Sequence, residues 1–368
     1  MRILYVVKGM SLSNGVSSFI MNHVRQMVTD PNFQCDFLVV TDIGSPYYDE
    51  LKSYGCAIYF MPSYIRHPLQ VVPFLRKVFS SQHYDLVHCN VMNSASPILM
   101  MAKRYGIKVR IFHSHATQNG DTKWKQARNK LFADLTIKYA TTNFACSKLA
   151  GDYLFGKDNY YEIPNAIDIT KFKFDENTRQ KVRDKYHVPS NVKIIMTVGR
   201  FTTQKNHMYI VDIIAELKKQ DFNFVFWWFG DGELEGDVKK YAEAKQVTDV
   251  IKFWGSRIDI NRLYMAADVF ILPSLFEGLP VVGIEAQISG LPTLLADTVS
   301  NETKISKYTE FLPLDNPACW ADEIKKVAKV DHNIVGASVD TSTWNIVKAA
   351  QRLKKLYAEL IFESRKDL

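Results

Sequence analysis

The sequence predicts an α/β protein made of two doubly wound domains. Short apolar runs alternate with stretches of helical period up to residue 154, and the alternation restarts at residue 193. At 368 residues the chain is long enough for two domains with separate cores. A polar stretch at 171–191, with Phe174-Asp175-Glu176-Asn177 near its start, separates the two runs. The expected units are therefore 1–175, 176–341 and a terminal helix within 342–368.

The first run predicts strands at 3–7, 35–40, 57–61, 86–89, 109–113 and 143–146. Each is a short, mostly apolar segment bounded by turn or polar residues. Helices are expected between them at 16–28, 48–54, 69–80, 96–105, 124–140 and 147–154, with Ser147 as the N-cap of the last. The second run predicts strands at 193–198, 223–229, 251–254, 269–272 and 291–296. Its helices are expected at 207–219, 234–243, 260–265 and 281–289. Strand–helix alternation of this length argues parallel sheets covered on both faces. Near the end, Trp344, Ile346, Val347, Leu353, Leu356, Tyr357 and Leu360 recur at helical spacing.

Hydrophobic content of 47% and charged content of 23% are ordinary for a folded protein. No apolar run approaches the roughly 18 residues that span a bilayer. The opening Met1-Arg2-Ile3-Leu4-Tyr5-Val6-Val7-Lys8-Gly9 is too soon interrupted for a signal peptide, so a cytoplasmic protein is expected. Five scattered cysteines, with no Cys-x-x-Cys, suggest buried free thiols and neither a disulfide framework nor a zinc cluster. The net charge of +7 lies wholly in residues 1–175, which hold 20 basic and 13 acidic side chains. Lys103, Arg104, Lys108, Arg110, Lys123, Lys125, Arg128 and Lys130 fall in one stretch with Asp121 as its only acid. Such a face favours anionic partners. The segment from Lys123 through Trp124 to Phe132 reads as a basic amphipathic helix suited to an anionic membrane surface, or as the solvated face of a packed helix.

The most informative segment is Phe276-Glu277-Gly278-Leu279-Pro280-Val281-Val282-Gly283-Ile284-Glu285-Ala286. It follows a buried strand that closes at Pro273-Ser274. Glu277 is thus expected in the loop at a strand's carboxyl end, with Glu285 about one turn into the next helix. Ligands bind at that edge of an open α/β sheet. The N–H groups of Gly278, Leu279 and Val281 at the helix start, on either side of Pro280, suit an anion there. Upstream, Gly199-Arg200-Phe201-Thr202-Thr203-Gln204-Lys205-Asn206 ends the first strand of the second domain. Two cations in that loop suit a diphosphate.

Together these segments resemble the retaining nucleotide-sugar glycosyltransferases of the GT-B fold, family 4. Two Rossmann-like domains facing a cleft are what the resemblance implies. It also implies that Glu277 meets the donor sugar, Glu285 the ribose, and Arg200 and Lys205 the diphosphate. Phe229-Gly230-Asp231-Gly232-Glu233 and Phe253-Trp254-Gly255 extend the match, the latter placing Trp254 and Gly255 under the nucleotide base. Ile163-Pro164-Asn165-Ala166-Ile167-Asp168 resembles the family's linker, and the family's terminal helix crosses back to the first domain. Gly15 in Ser13-Asn14-Gly15 stands where the family usually has two glycines at the first βα turn, and Asn14 tolerates positive φ there. The family carries a histidine near the reacting sugar, and His113 and His115 compete for that place. His115 lies farther past the strand and is favoured; the other is expected as a core histidine bonded to backbone, and His88 as structural.

The implied activity is transfer of a sugar, typically from a UDP-sugar, to a glycan or lipid-linked acceptor in capsular or exopolysaccharide synthesis. The expected place is the cytoplasm, with peripheral contact at the inner face of the membrane as the option that a lipid-linked acceptor favours, and no nucleic acid is expected as partner. With Arg200 and Lys205 to meet the phosphates, no divalent cation and no cofactor are expected. Alternatives are a nucleotide-sugar epimerase or glucan synthase of the same fold, or a basic membrane- or nucleic-acid-binding protein with an inactive site.

Overall fold

The apolar runs form strands, and among the described residues every paired strand is parallel to its neighbour. The computed structural model describes residues 1–12, 14–92, 94–115, 123–277 and 279–366, with the backbone alone at 123–127. The chain divides into a unit of Met1–Ala166 with Ile346–Leu368 and a unit of Ile167–Asn345.

In the first unit the strands are β1 (Arg2–Val7), β2 (Gln34–Val39), β3 (Ile58–Phe60), β4 (Leu86–Cys89), β5 (Val109–Ser114), β6 (Thr142–Ala145) and β7 (Tyr161–Glu162). They lie in the order β3-β2-β1-β4-β5-β6-β7. One face packs Leu4, Val6 and Val87 against the helices Pro68–Ser81 and Ala95–Arg104. The other packs Tyr5, Val7 and Ile111 under the helix Gly15–Met27. The terminal helix Ile346–Lys366 covers the same face with Ala350, Leu353, Tyr357 and Ile361, one apolar stripe at three- and four-residue spacing.

The second unit holds β8 (Lys193–Val198), β9 (Phe224–Phe229), β10 (Ile251–Gly255), β11 (Val269–Leu272), β12 (Thr293–Ala296) and β13 (Thr309–Leu312), ordered β10-β9-β8-β11-β12-β13. Both sheets reverse their winding direction once, between β1 and β4 and between β8 and β11. The crossovers on either side of such a reversal leave by opposite faces, which opens a crevice at the strands' carboxyl ends.

Strands β7 and β13 are additional to the sequence reading. Both are sheet edges: β7 is two exposed residues, and β13 is exposed at Glu310 and only half-buried beyond it. Neither carries the continuous apolar signal of a central strand. The units also divide earlier than residue 175. The polar stretch is structured, with the helices Ile169–Phe172 and Glu176–Lys185 belonging to the second unit.

Asp268, buried at the start of β11, explains that attachment. Its carboxylate accepts from Arg179 Nη2 at 2.8 Å, Arg183 Nη1 at 3.2 Å, Lys193 Nζ at 3.4 Å and the backbone N–H of Ile194 at 2.7 Å. Arg179 also donates to the carbonyls of Ala266 and Ala267, which end the helix Ile260–Ala266. Burial alone would raise the Asp268 pKa; the surrounding cations and the Ile194 N–H outweigh it and hold the group below the usual carboxylate range.

At the first βα turn Asn14 is extended, with φ −108°, and is not left-handed. Its side chain caps the helix by accepting from Val16 N and Ser17 N, so those donors are already engaged beside Gly15. Ser147 does cap the helix Lys148–Phe155, accepting from Ala150 N. Four cysteines are buried free thiols, but Cys319 is exposed. Among the described residues no helix is long and apolar enough to cross a membrane.

Replacing Asp268 with Asn should lower the unfolding free energy by about 3–5 kcal/mol, because it leaves two guanidinium groups buried without their counter-charge. Urea denaturation of the variant at pH 7 measures this. The carboxylate's contribution is full above its unfolded pKa and is lost as pH falls through the lower folded value.

Candidate active site

At the reversal in the second unit, β8 and β11 run side by side and release their loops together. The loop after β8 carries Arg200 and Lys205; the loop after β11 carries Ser274 and Glu277. Lys205 Nζ lies 2.5 Å from Glu277 Oε1, to which Ser274 Oγ also donates at 3.1 Å. The two side chains are only 16% and 10% exposed. The loops are further joined by Leu275 N donating to Gln204 O at 2.8 Å and Gln204 Nε2 to Phe276 O at 3.0 Å. The sequence-predicted cation and carboxylate thus meet in one place.

Close backbone approach makes room for them. A Cβ on Gly199 would stand 3.1 Å from Lys205 Cε, so a hydrogen at that position lets the lysine stem lie across the strand end. Gly230, at φ 131°, sits so near that a Cβ would fall 2.0 Å from Gly199 O. Phe201 N donates to Asp231 O at 2.8 Å, seating the Gly230–Glu233 loop on the Arg200 segment.

Arg200 is half-exposed at 48%, with Nη2 3.5 Å from Glu233 Oε2. Its backbone is held by a residue that the sequence reading did not assign. His207 Nε2–H donates to Arg200 O at 2.8 Å, while Nδ1 accepts from Trp228 Nε1 at 3.2 Å. These two bonds define the tautomer. Burial pushes the His207 pKa down to about 4, so the ring is neutral at pH 7. Its position directly after Asn206, at a helix start facing the strand end, was the available signal.

Glu285 lies one turn into the helix Val281–Ile288, half-buried, accepting from Tyr264 OH at 3.2 Å. Burial pushes its pKa up to about 7, with the tyrosine bond opposing the shift. Pro280 precedes the helix and offers no side-chain cap, and the first turn holds no acid. This helix start remains suited to an anion, unlike the one at Asn14. Leu279 packs toward Ile284 and Trp344; Gly278 lies outside the described residues. The Trp254 ring packs against Tyr186 and Trp227, at centroid distances of 4.8 and 5.8 Å, which leaves its backbone as the part at the strand end. Gly255 O accepts from Gly230 N at 3.0 Å.

The first unit's reversal has a different chemistry. His88 and His113 are fully buried on β4 and β5, and half-buried His115 follows β5. His113 is bonded to His88 rather than to backbone: its Nδ1 lies 2.9 Å from His88 Nε2. His115 Nε2–H donates to Asn90 Oδ1 at 2.8 Å. Burial pushes the His115 pKa down to about 3 and holds His88 and His113 well below the usual histidine range. All three are neutral at pH 7.

Within the basic stretch, two described side chains bond to backbone carbonyls. Arg110 donates to Ile107 O and Tyr139 O, and Lys108 to Ser364 O. The side chains of Lys123, Trp124 and Lys125 lie outside the described residues. A polar groove of about 690 Å³, lined by Lys108, Thr142, Asn159, Tyr161 and Glu363, opens at the amino ends of β5 to β7. It lies at the opposite sheet edge from His88, His113 and His115. Among the described residues no group of three or more His, Cys, Asp or Glu side chains could hold a metal ion.

Residues 192–329 match the family described as Glycosyl transferases group 1. The chain is 31% identical over 338 residues to the putative glycosyltransferase EpsF of Bacillus subtilis (strain 168), covering 89% of this chain and 88% of that one. It is 25% identical over 353 residues to the Escherichia coli UDP-Gal:alpha-D-GlcNAc-diphosphoundecaprenol alpha-1,3-galactosyltransferase, covering 90% and 91%. Its fold matches Anabaena HepE, solved in complex with UDP and glucose, with a TM-score of 0.79 at 16% identity over 97% and 99% of the chains. The architecture is GT-B.

A Glu285→Gln variant should melt higher than the parent protein above pH 7, because the native state no longer holds a poorly solvated carboxylate. The folded pKa is raised, so the penalty is present above about 7 and disappears as pH falls toward the unfolded value. Melting curves from pH 5 to 9 test this; a constant difference across that range contradicts it.

Proposed function

Because the chain belongs to the group 1 glycosyltransferases, we propose that it moves a sugar from a nucleoside diphosphate to a hydroxyl of a lipid-linked glycan with retained anomeric configuration. The observation that carries this reading is the meeting of Lys205 with Glu277 at the β8/β11 reversal, beside Arg200.

Lys205 has three N–H donors, and the bond to Glu277 leaves others for phosphate oxygens. Arg200 presents a planar fork from an exposed position, suited to a second phosphate oxygen. Negative charge grows on the diphosphate as the glycosidic bond breaks, so both cations stabilise the transition state more than the ground state. Glu277 orients the sugar hydroxyls. Glu285, once ionised, accepts from the ribose diol. The acceptor oxygen bonds to the anomeric carbon on the face that the diphosphate leaves, and the acceptor proton passes to the departing phosphate oxygen. His115, in the first unit, is a neutral ring whose Nδ1 lone pair is available to a substrate hydroxyl. No step calls on a divalent cation, because Arg200, Lys205 and the uncapped start of the helix Val281–Ile288 meet the phosphates.

A UDP donor is supported by the UDP in the HepE structures and by the donor that names the Escherichia coli relative, and a lipid-linked diphosphate acceptor by that same name. The reading places the protein at the cytoplasmic membrane face, assembling polysaccharide repeat units.

UDP should raise the melting temperature where GDP and ADP do not. Sugar transfer from a UDP-sugar to an undecaprenyl-diphosphate glycan should survive EDTA, and the product's anomeric coupling constant should match the donor's. Replacing Arg200 with Ala should lower kcat by roughly a hundredfold or more. Unchanged turnover at saturating donor removes Arg200 from the mechanism.

A further inference from the structure

A line of polar side chains crosses the otherwise apolar layer between the first sheet and the terminal helix. Tyr5 OH and Tyr357 OH are 3.3 Å apart, Tyr357 OH is 2.6 Å from His88 Nδ1, and His88 Nε2 is 2.9 Å from His113 Nδ1. All four side chains are at most 2% exposed. Beyond them the His113 ring stacks on His115, with centroids 4.0 Å apart. Buried polar groups in such a layer cost stability unless each is satisfied. Apolar residues at these positions would pack the layer without that requirement.

We propose that Tyr357 is a positioning residue for His115, acting through His88 and His113. Asn90 holds one edge of the His115 ring through Nε2, and its own amide donates to His88 O at 3.2 Å. Phe19 presents an edge to both His113 and His115. The remaining freedom of His115 is the tilt of its plane, and the stacked His113 ring sets that. Among the described residues the His113 ring makes one hydrogen bond, to His88, with Phe144 edge-on against it. A neutral imidazole carries one N–H, so donation by Tyr357 to His88 Nδ1 makes His88 Nε2 the donor to His113, and the reverse direction inverts both. Tyr357 is therefore coupled to the tautomer of His113 as well as to its plane. A residue near the end of the chain thereby controls one that follows the fifth strand.

This inference rests on the assignment of His115 to the substrate, so the test separates the two. Tyr357→Phe keeps the ring and removes the hydroxyl. Its kcat should fall about tenfold, less than the roughly hundredfold that a misplacement of about 1 Å can cost. The donor KM should stay within about twofold. Tyr5→Phe, which removes a hydroxyl whose partner among the described residues is Tyr357, should leave kcat near the parent value. In a His115→Ala background, Tyr357→Phe should cause no further loss. Additive losses, or an equal loss in Tyr5→Phe, overturn the proposal in favour of general destabilisation. If His115→Ala alone leaves kcat unchanged, the substrate role of His115 fails. The positioning claim is then decided by ¹⁵N shifts of the His115 ring. Displacement of those shifts in folded Tyr357→Phe supports positioning, and identical shifts refute it. Tyr357→His, which can restore a hydrogen bond to His88, serves if the Phe variant does not fold: recovered kcat supports the proposal and unrecovered kcat in a folded variant refutes it.

Discussion

The ion pair between Lys205 and Glu277 is the contact on which the candidate site depends. It joins the loops of two strands that adjoin in the sheet but lie far apart in sequence. At a winding reversal the two crossovers depart to opposite faces, so no helix holds those loops together. The pair does so, helped by the Gln204 contacts to Leu275 and Phe276. A buried ion pair is a weak source of stability compared with apolar packing of the same shape. Its value is positional: an apolar pair would close the loops without leaving a cation and a carboxylate side by side.

The two units share one strand order and use it for different chemistry. In the second unit the helix after the reversal starts without a side-chain cap, and charged groups gather beside it. In the first unit it is the helix after β1 that Asn14 caps, and the groups near the ends of β4 and β5 are neutral histidines. Depth of burial explains the contrast. His88 and His113 lie within the layer, where a charge has no counter-ion, whereas Arg200 reaches solvent.

Support for these sites comes from elsewhere in the fold. Asp268 ties the helix Glu176–Lys185 to the start of β11, opposite the end that carries Glu277. His207 holds the backbone of Arg200 while Trp228 holds His207. The terminal helix brings Tyr357 to His88. Most of these bonds join residues far apart in the chain whose local sequence does not announce the partner.

The central strands, their helices and the glutamate and lysine motifs were legible in the chain alone. Buried parallel strands are continuous apolar runs, and loops at strand ends carry their ligands in short local patterns. The edge strands β7 and β13 were not, because a half-exposed strand loses the apolar run that marks a central one. The polar segment at 171–191 looked like a linker because its arginines carry no sign of the aspartate they would meet. The elevated pKa of Glu285, the capping role of Asn14 and the line from Tyr357 to His115 were decided by tertiary structure. Desolvation and hydrogen bonding depend on what surrounds a group in space, and residues distant in sequence supply most of those surroundings.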